Sequence, residues 1–197
     1  MMNKSLYGKI ATLIFILILL IDINTNYLKI NNNKKINKSI FILGVLFVLF
    51  LIIYIEDFIT YNYLDDYLKK NEPISSDCYQ NSYYDAILAG VSEELVFRLL
   101  LLNLILIRFL KLDLTKSIII SSLLFGLIHI NQYISFGVNI YNTIAVIIQA
   151  ILGGIIFGYV YTNTNLTTVI LIHFFIDFID FIFLRCNKSL YRKMLFI

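Results

Sequence analysis

Apolar positions in this chain come in long blocks separated by short polar turns. The first block covers residues 6–23, the second 40–55 and the third 83–107. A fourth starts near residue 117 and is expected to run past His129 toward residue 136; a fifth covers 141–161 and a sixth 166–184. A bilayer-crossing helix takes about 17–25 mostly apolar residues, so the pattern predicts an all-α, polytopic membrane protein of about six transmembrane helices. The second block, at about 16 residues, sits near the lower limit for crossing. The first resembles a signal peptide, but Asn24-Thr25-Asn26-Tyr27 offers no small-residue cleavage site, which predicts a retained anchor helix. Residues 31–38 read as a basic linker. In the polar stretch 56–84, Phe58, Tyr61, Leu64 and Leu68 fall three or four apart, as in an interfacial amphipathic helix; a solvated loop fits equally. The fifth block holds Ala150, Gly153, Gly154 and Gly158, with Gly154 and Gly158 forming a face for close helix approach. Gln149, polar in mid-block, is expected to make a packing hydrogen bond.

Composition sharpens this picture. Of 197 residues, 59% are hydrophobic and 15% charged, so the chain is read as an integral, multi-pass membrane protein whose constant partners are lipids. A net charge of +3 carries no nucleic-acid signal, and the basic clusters Lys34-Lys35-Lys38 and 185–193 flank apolar blocks, where headgroups explain them. Abundant Ile, Asn, Lys and Tyr suggest an AT-rich coding genome. Cys78 and Cys186 have no metal spacing and suggest neither a disulfide framework nor a redox motif. Lysines and arginines divide eight against seven between the two sides, so orientation rests on the C-terminal cluster, which favours cytoplasmic termini.

Chemistry concentrates in the third block, at Ser92-Glu93-Glu94-Leu95-Val96-Phe97-Arg98. Each charged group at the centre of an inserted helix costs roughly 2.5–3.5 kcal/mol, which marks such groups as functional. Glu94 and Arg98 lie about 40° apart on an α-helix, one turn along the same face, and form a natural ion pair. Glu93 is about 140° from Arg98 and is the less paired carboxylate, suited to act as a general base. The bland alternative is a buried salt bridge that locks two helices. Both histidines of the chain, His129 and His173, also lie in apolar blocks, and His173, Asp177 and Asp180 share one helical face. Helices crossing a layer of about 30 Å in alternate directions place Glu93 roughly 15 Å, His129 roughly 9 Å, His173 roughly 18 Å and Asp177 roughly 12 Å from the same surface. The four therefore share a middle slab, on three helices.

Together these residues resemble the CPBP family of intramembrane endopeptidases, also called the Abi or type II CAAX prenyl endopeptidase family. Its signature, EExxxR, FxxxH and HxxxN on successive helices, reads here as Glu93-Glu94 with Arg98, Phe125 with His129, and His173 with Asp177. The resemblance covers about residues 83–184. It implies a four-helix intramembrane protease core there, preceded by two helices and a polar connection in 1–82 and followed by a basic tail in 185–197. It also implies roles: Glu93 as general base, His129 positioning the water, Glu94 oriented by Arg98, His173 and residue 177 stabilising the oxyanion, and Phe125 packing against the pocket. Asp177 departs from the family's asparagine. Protonated, it donates a hydrogen bond as an amide does; ionised, it repels an oxyanion. Glu93, His129, His173 and Asp177 also make an adequate zinc shell, but with no HExxH helix present the metal-free mechanism, with no cofactor, is favoured.

The function expected is hydrolysis of a peptide bond in a peptide or protein substrate. The setting is CAAX-type processing, peptide maturation or bacteriocin self-immunity, the last two associated with bacterial members of the family. A non-catalytic membrane immunity or partner-binding protein is the alternative, with a proton or ion relay as a third reading.

Overall fold

The computed structural model describes residues 4–24, 44–45, 47–49, 51, 78–130 and 140–186. Every regular element among the described residues is helical. We number the α-helices α1 (Lys4–Asn24), α2 (Cys78–Glu94), α3 (Leu114–Ile128), α4 (Ile140–Asn163) and α5 (Leu166–Cys186). These match the first, third, fourth, fifth and sixth apolar blocks. Gly44, Val45, residues 47–49 and Leu51 are helical too, with Val45 and Leu49 buried. The rest of the second block, the basic linker, the stretch read as interfacial helix or loop, and the basic tail beyond residue 186 lie outside the described residues; 185 and 186 belong to α5.

Two details of the expected helices differ. The third block is not one regular α-helix: after Glu94 the winding widens into a π-helix over Leu95–Phe109. Leu110 N–H donates to Ile105 C=O five residues back, and the Arg108 Nε–H donates to Asn103 Oδ1 at the same separation, which shares a face only in the wider winding. Ser121 on α3 donates its hydroxyl to the carbonyl of Phe97 in the first turn of this segment, tying it to a neighbour. The fourth block is interrupted: Ile130 beyond the break is helical again, and 131–136 lie outside the described residues. α3 stops at Ile128, and His129 is its C-cap, with its N–H turned back to the carbonyls of Gly126 and Leu127.

The turns follow from local chemistry. Asp113 caps α3 by accepting the Lys116 N–H, and Ser117 donates its hydroxyl to the Asp113 carbonyl. Asn165 does the same for α5, accepting from both the N–H and the hydroxyl of Thr168. Lys111, at φ 54°, takes the left-handed conformation that reverses the chain before α3.

In the core, α2 packs along α5 and α1, and α3 along α4. The small-residue face expected on the fifth block is used: a Cβ on Gly154 would approach Ser122 Cα to 3.1 Å, and one on Gly158 would approach Ile118 to 3.1 Å. Polar groups are buried within the apolar core, and large apolar side chains also cover the outside. Glu94, Arg98, Asn103, Ser117, Ser121 and Ser122 are buried, while Leu13, Leu17, Leu100, Leu123, Ile148 and Phe175 face outward. Within the described residues, Thr143–Asn163 is long and apolar enough to cross a membrane, and Lys9–Ile21 and Leu114–Ile128 are shorter apolar helices. Cys78 is buried and disulfide-bonded, contrary to the sequence expectation for the cysteines.

Candidate active site

The last turn of α2 carries Glu93 and Glu94 in opposite circumstances. Glu94 is fully buried, with Oε2 3.0 Å from Arg98 Nε, as the four-residue spacing predicts. Its other oxygen, Oε1, accepts a hydrogen bond from His173 Nδ1 on α5 at 2.8 Å. The result is a buried chain, Arg98–Glu94–His173, across two helices. Arg98 is itself fully buried; Nη1 and Nη2 have no hydrogen-bond partner among the described residues, and the guanidinium carbon lies 5.0 Å from the Phe125 ring centre and 5.7 Å from that of Phe157. A cation stripped of water gains from such aromatic faces.

Why the helices register here is visible one turn earlier. Gly90 sits against α5 so closely that a Cβ would meet Phe174 N at 3.2 Å and Ile170 O at 3.3 Å. Glycine lets the two backbones approach, and Glu94, four residues on, then reaches the residue beside Phe174, which is His173.

Glu93 instead faces a cavity of about 290 Å³, and its side chain keeps 30% exposure. His129, His173, Asp177 and Phe125 line the same cavity. His173 Nε2 lies 3.4 Å from Asp177 Oδ2 and 3.7 Å from Glu93 Oε2. His129 Nδ1–H donates to the Phe125 carbonyl at 2.7 Å, a bond that determines the neutral tautomer and leaves the Nε2 lone pair as an acceptor. Phe125 meets Phe97 edge-on at 5.0 Å and the His129 ring at 4.9 Å. It therefore shapes the pocket, and also lies beneath Arg98.

All seven residues singled out in the sequence thus lie in one neighbourhood. Five line the cavity, and Glu94 and Arg98 support it from behind. Three things were missed. The first is the hydrogen bond from His173 to Glu94, which makes Glu94 a support for the histidine as well as a partner of Arg98. The second is the wall from α4, where Val146, Gln149, Ala150, Gly153 and Phe157 line the cavity and Phe157 stacks on His173 at 4.7 Å. The third is Asp180, another lining residue, noted in the sequence for its face but given no role. The small residues and the polar Gln149 of the fifth block were the available signal for the second. Among the described residues, no three His, Cys, Asp or Glu side chains are arranged to hold a metal ion.

Comparison with known proteins gives one match. No curated protein and no solved structure matches the chain. The family described as "Type II CAAX prenyl endopeptidase Rce1-like" matches residues 79–179. That span holds Glu93, Glu94, Arg98, Phe125, His129, His173 and Asp177 in order, and it covers about half of the chain. By this match, carried by the helices that build the cavity, the chain belongs to the type II CAAX prenyl endopeptidase Rce1-like family, a family of membrane proteases.

Proposed function

We propose that this protein is a multi-pass intramembrane endopeptidase that hydrolyses a peptide bond through a water activated by Glu93 and His129. The observation that carries the reading is the shared cavity: one accessible carboxylate, one histidine lone pair, and a second histidine held from behind by a buried carboxylate. Water placed between Glu93 and His129 gives a proton to Glu93 as its oxygen attacks the substrate carbonyl. The negative charge then develops on the former carbonyl oxygen, where His173 in its doubly protonated form donates Nε2–H while Nδ1–H stays on Glu94, beside Asp177. Asp177 serves there in its protonated form, donating as the family's asparagine amide does. On collapse, Glu93 returns its proton to the leaving amine, and the carboxylate is restored.

Arg98 and Glu94 take no proton in this scheme. Their task is to hold His173, because an imidazole fixed at Nδ1 presents Nε2 in one direction only. The family's substrate class, a protein ending in a prenylated cysteine and a short apolar tail, suits a cavity walled in part by Val146, Ala150, Phe157 and Ile176, and a small apolar peptide suits it equally. Six crossings of the bilayer fit the apolar blocks and the outward-facing leucines and isoleucines.

The test is cleavage by purified protein in lipid vesicles. Glu93→Gln and His129→Ala are each expected to lower turnover at least about 100-fold, the scale of a lost general base, while the protein still inserts and melts as wild type. Wild-type turnover in both variants would end the protease reading.

A further inference from the structure

The hydrolytic scheme leaves one wall of the cavity without a task. Val146, Gln149, Ala150, Gly153 and Phe157 line it from α4, spaced as a single helical stripe. Gln149 alone among them is polar. The packing hydrogen bond expected for it does not form: its amide bonds to no described residue, and the side chain is half-buried at the cavity surface. An unpaired amide is costly in an apolar layer, and this one lines the cavity shared with Glu93, His129, His173 and Asp177.

The space beside it is open. One turn further on, a Cβ added to Gly153 would meet nothing within 4 Å. A peptide entering this cavity loses water from both its N–H and its C=O groups. The Glu93 carboxylate offers acceptors alone, His129 has already committed its Nδ1–H to Phe125, and His173 and Asp177 are engaged by the oxyanion in the scheme above. A carboxamide carries N–H donors and a carbonyl acceptor side by side, which matches a peptide group reciprocally.

We propose that Gln149 is a substrate-docking residue: its amide pairs with a backbone peptide group of the substrate next to the bond that is cut, and the gap at Gly153 gives that backbone room. The inference rests on the protease reading and deepens it. The chemistry it selects is an extended peptide backbone, recognised independently of side-chain sequence.

The experiment uses an internally quenched peptide ending in a farnesylated cysteine and three apolar residues, presented to the full chain in vesicles. Gln149→Met keeps the length and removes the hydrogen bonds. It is expected to raise KM about tenfold with kcat within about twofold, the signature of lost ground-state binding. In a Glu93→Gln background, which binds without cutting, the same change is expected to weaken the peptide's Kd by a similar factor. Gly153→Leu, which fills the open space, is expected to block binding outright while leaving the melting temperature within a few degrees. It keeps the inference testable if Gln149→Met fails to fold: peptide bound as tightly as by wild type would overturn it. Wild-type turnover together with unchanged KM and Kd in Gln149→Met overturns the inference and spares the protease reading. Absence of turnover by the wild type overturns both.

Discussion

Glu94 commits both carboxylate oxygens, one to Arg98 and one to His173, whereas the adjacent Glu93 stays partly exposed in the cavity. Two neighbouring glutamates thus divide into a buried, paired carboxylate and a cavity-facing one, and the division comes from which face of α2 each occupies. The Glu94–Arg98 half of this was legible in the sequence, because a four-residue spacing on a helix is a local fact. The His173 half was not: the bond joins positions 79 apart, and only the register of α2 on α5 creates it. Asp177 is the residue where this chain departs from the family pattern. Asp177→Asn restores the amide donor and is expected to keep turnover within about threefold of wild type. A loss of turnover beyond about 100-fold would show instead that the carboxylate itself is required.

At the scale of elements, site geometry depends on how closely helices approach. In Gly90→Ala the new Cβ meets backbone atoms of Ile170 and Phe174, which cannot rotate away, so α2 and α5 must separate by a few tenths of an ångström. Overpacking of this kind typically costs about 1–3 kcal/mol, and we expect a lower melting temperature together with at least a tenfold fall in turnover as Glu94 draws off His173. A melting-temperature change with intact turnover would detach the site from this contact. The helices themselves were largely legible, since five apolar blocks correspond to α1, α2 with its π-wound continuation, α3, α4 and α5. The widened winding after Glu94 was not, because apolar residues on all sides of Leu95–Phe109 carry no periodicity that separates one winding from the other. Nor was the stop of α3 at Ile128, since His129 is followed by further apolar residues. Outside the apolar layer, Asp113 at the start of α3 is held below the usual carboxylate range, chiefly by the Lys116 N–H that it accepts and then by the Lys116 side chain. Because the folded value lies below the unfolded one, its contribution is complete above the ordinary aspartate range and fades as pH falls through the folded value. Asp113→Asn keeps the cap but not the charge, so thermal melts of the two proteins should converge as pH is lowered from about 5 to 3.

For the molecule as a whole, the described helices bury several charged and hydroxyl groups, turn many large apolar side chains outward, and bring Glu93, His129, His173, Asp177 and the Gln149 amide to a shared cavity. In the mechanism proposed, that cavity works with a proton-accepting carboxylate and no metal. Purified, active protein is accordingly expected to contain less than about 0.1 equivalent of zinc, and exhaustive treatment with a chelator should leave its turnover unchanged; near-stoichiometric zinc that tracks activity would replace Glu93 as the activator of water. The pairing of α2 with α5 has a consequence in time as well as in space. The carboxylates are synthesised first, His129 some 35 residues later, and His173 and Asp177 only with α5, last of the described helices to be made. A ribosome adds about 5–20 residues per second, so for several seconds the growing chain holds its base without the histidine that faces it. The proposed hydrolytic centre closes only when α5 arrives beside α2, and a chain that stalls before that point has no assembled site with which to cut its neighbours.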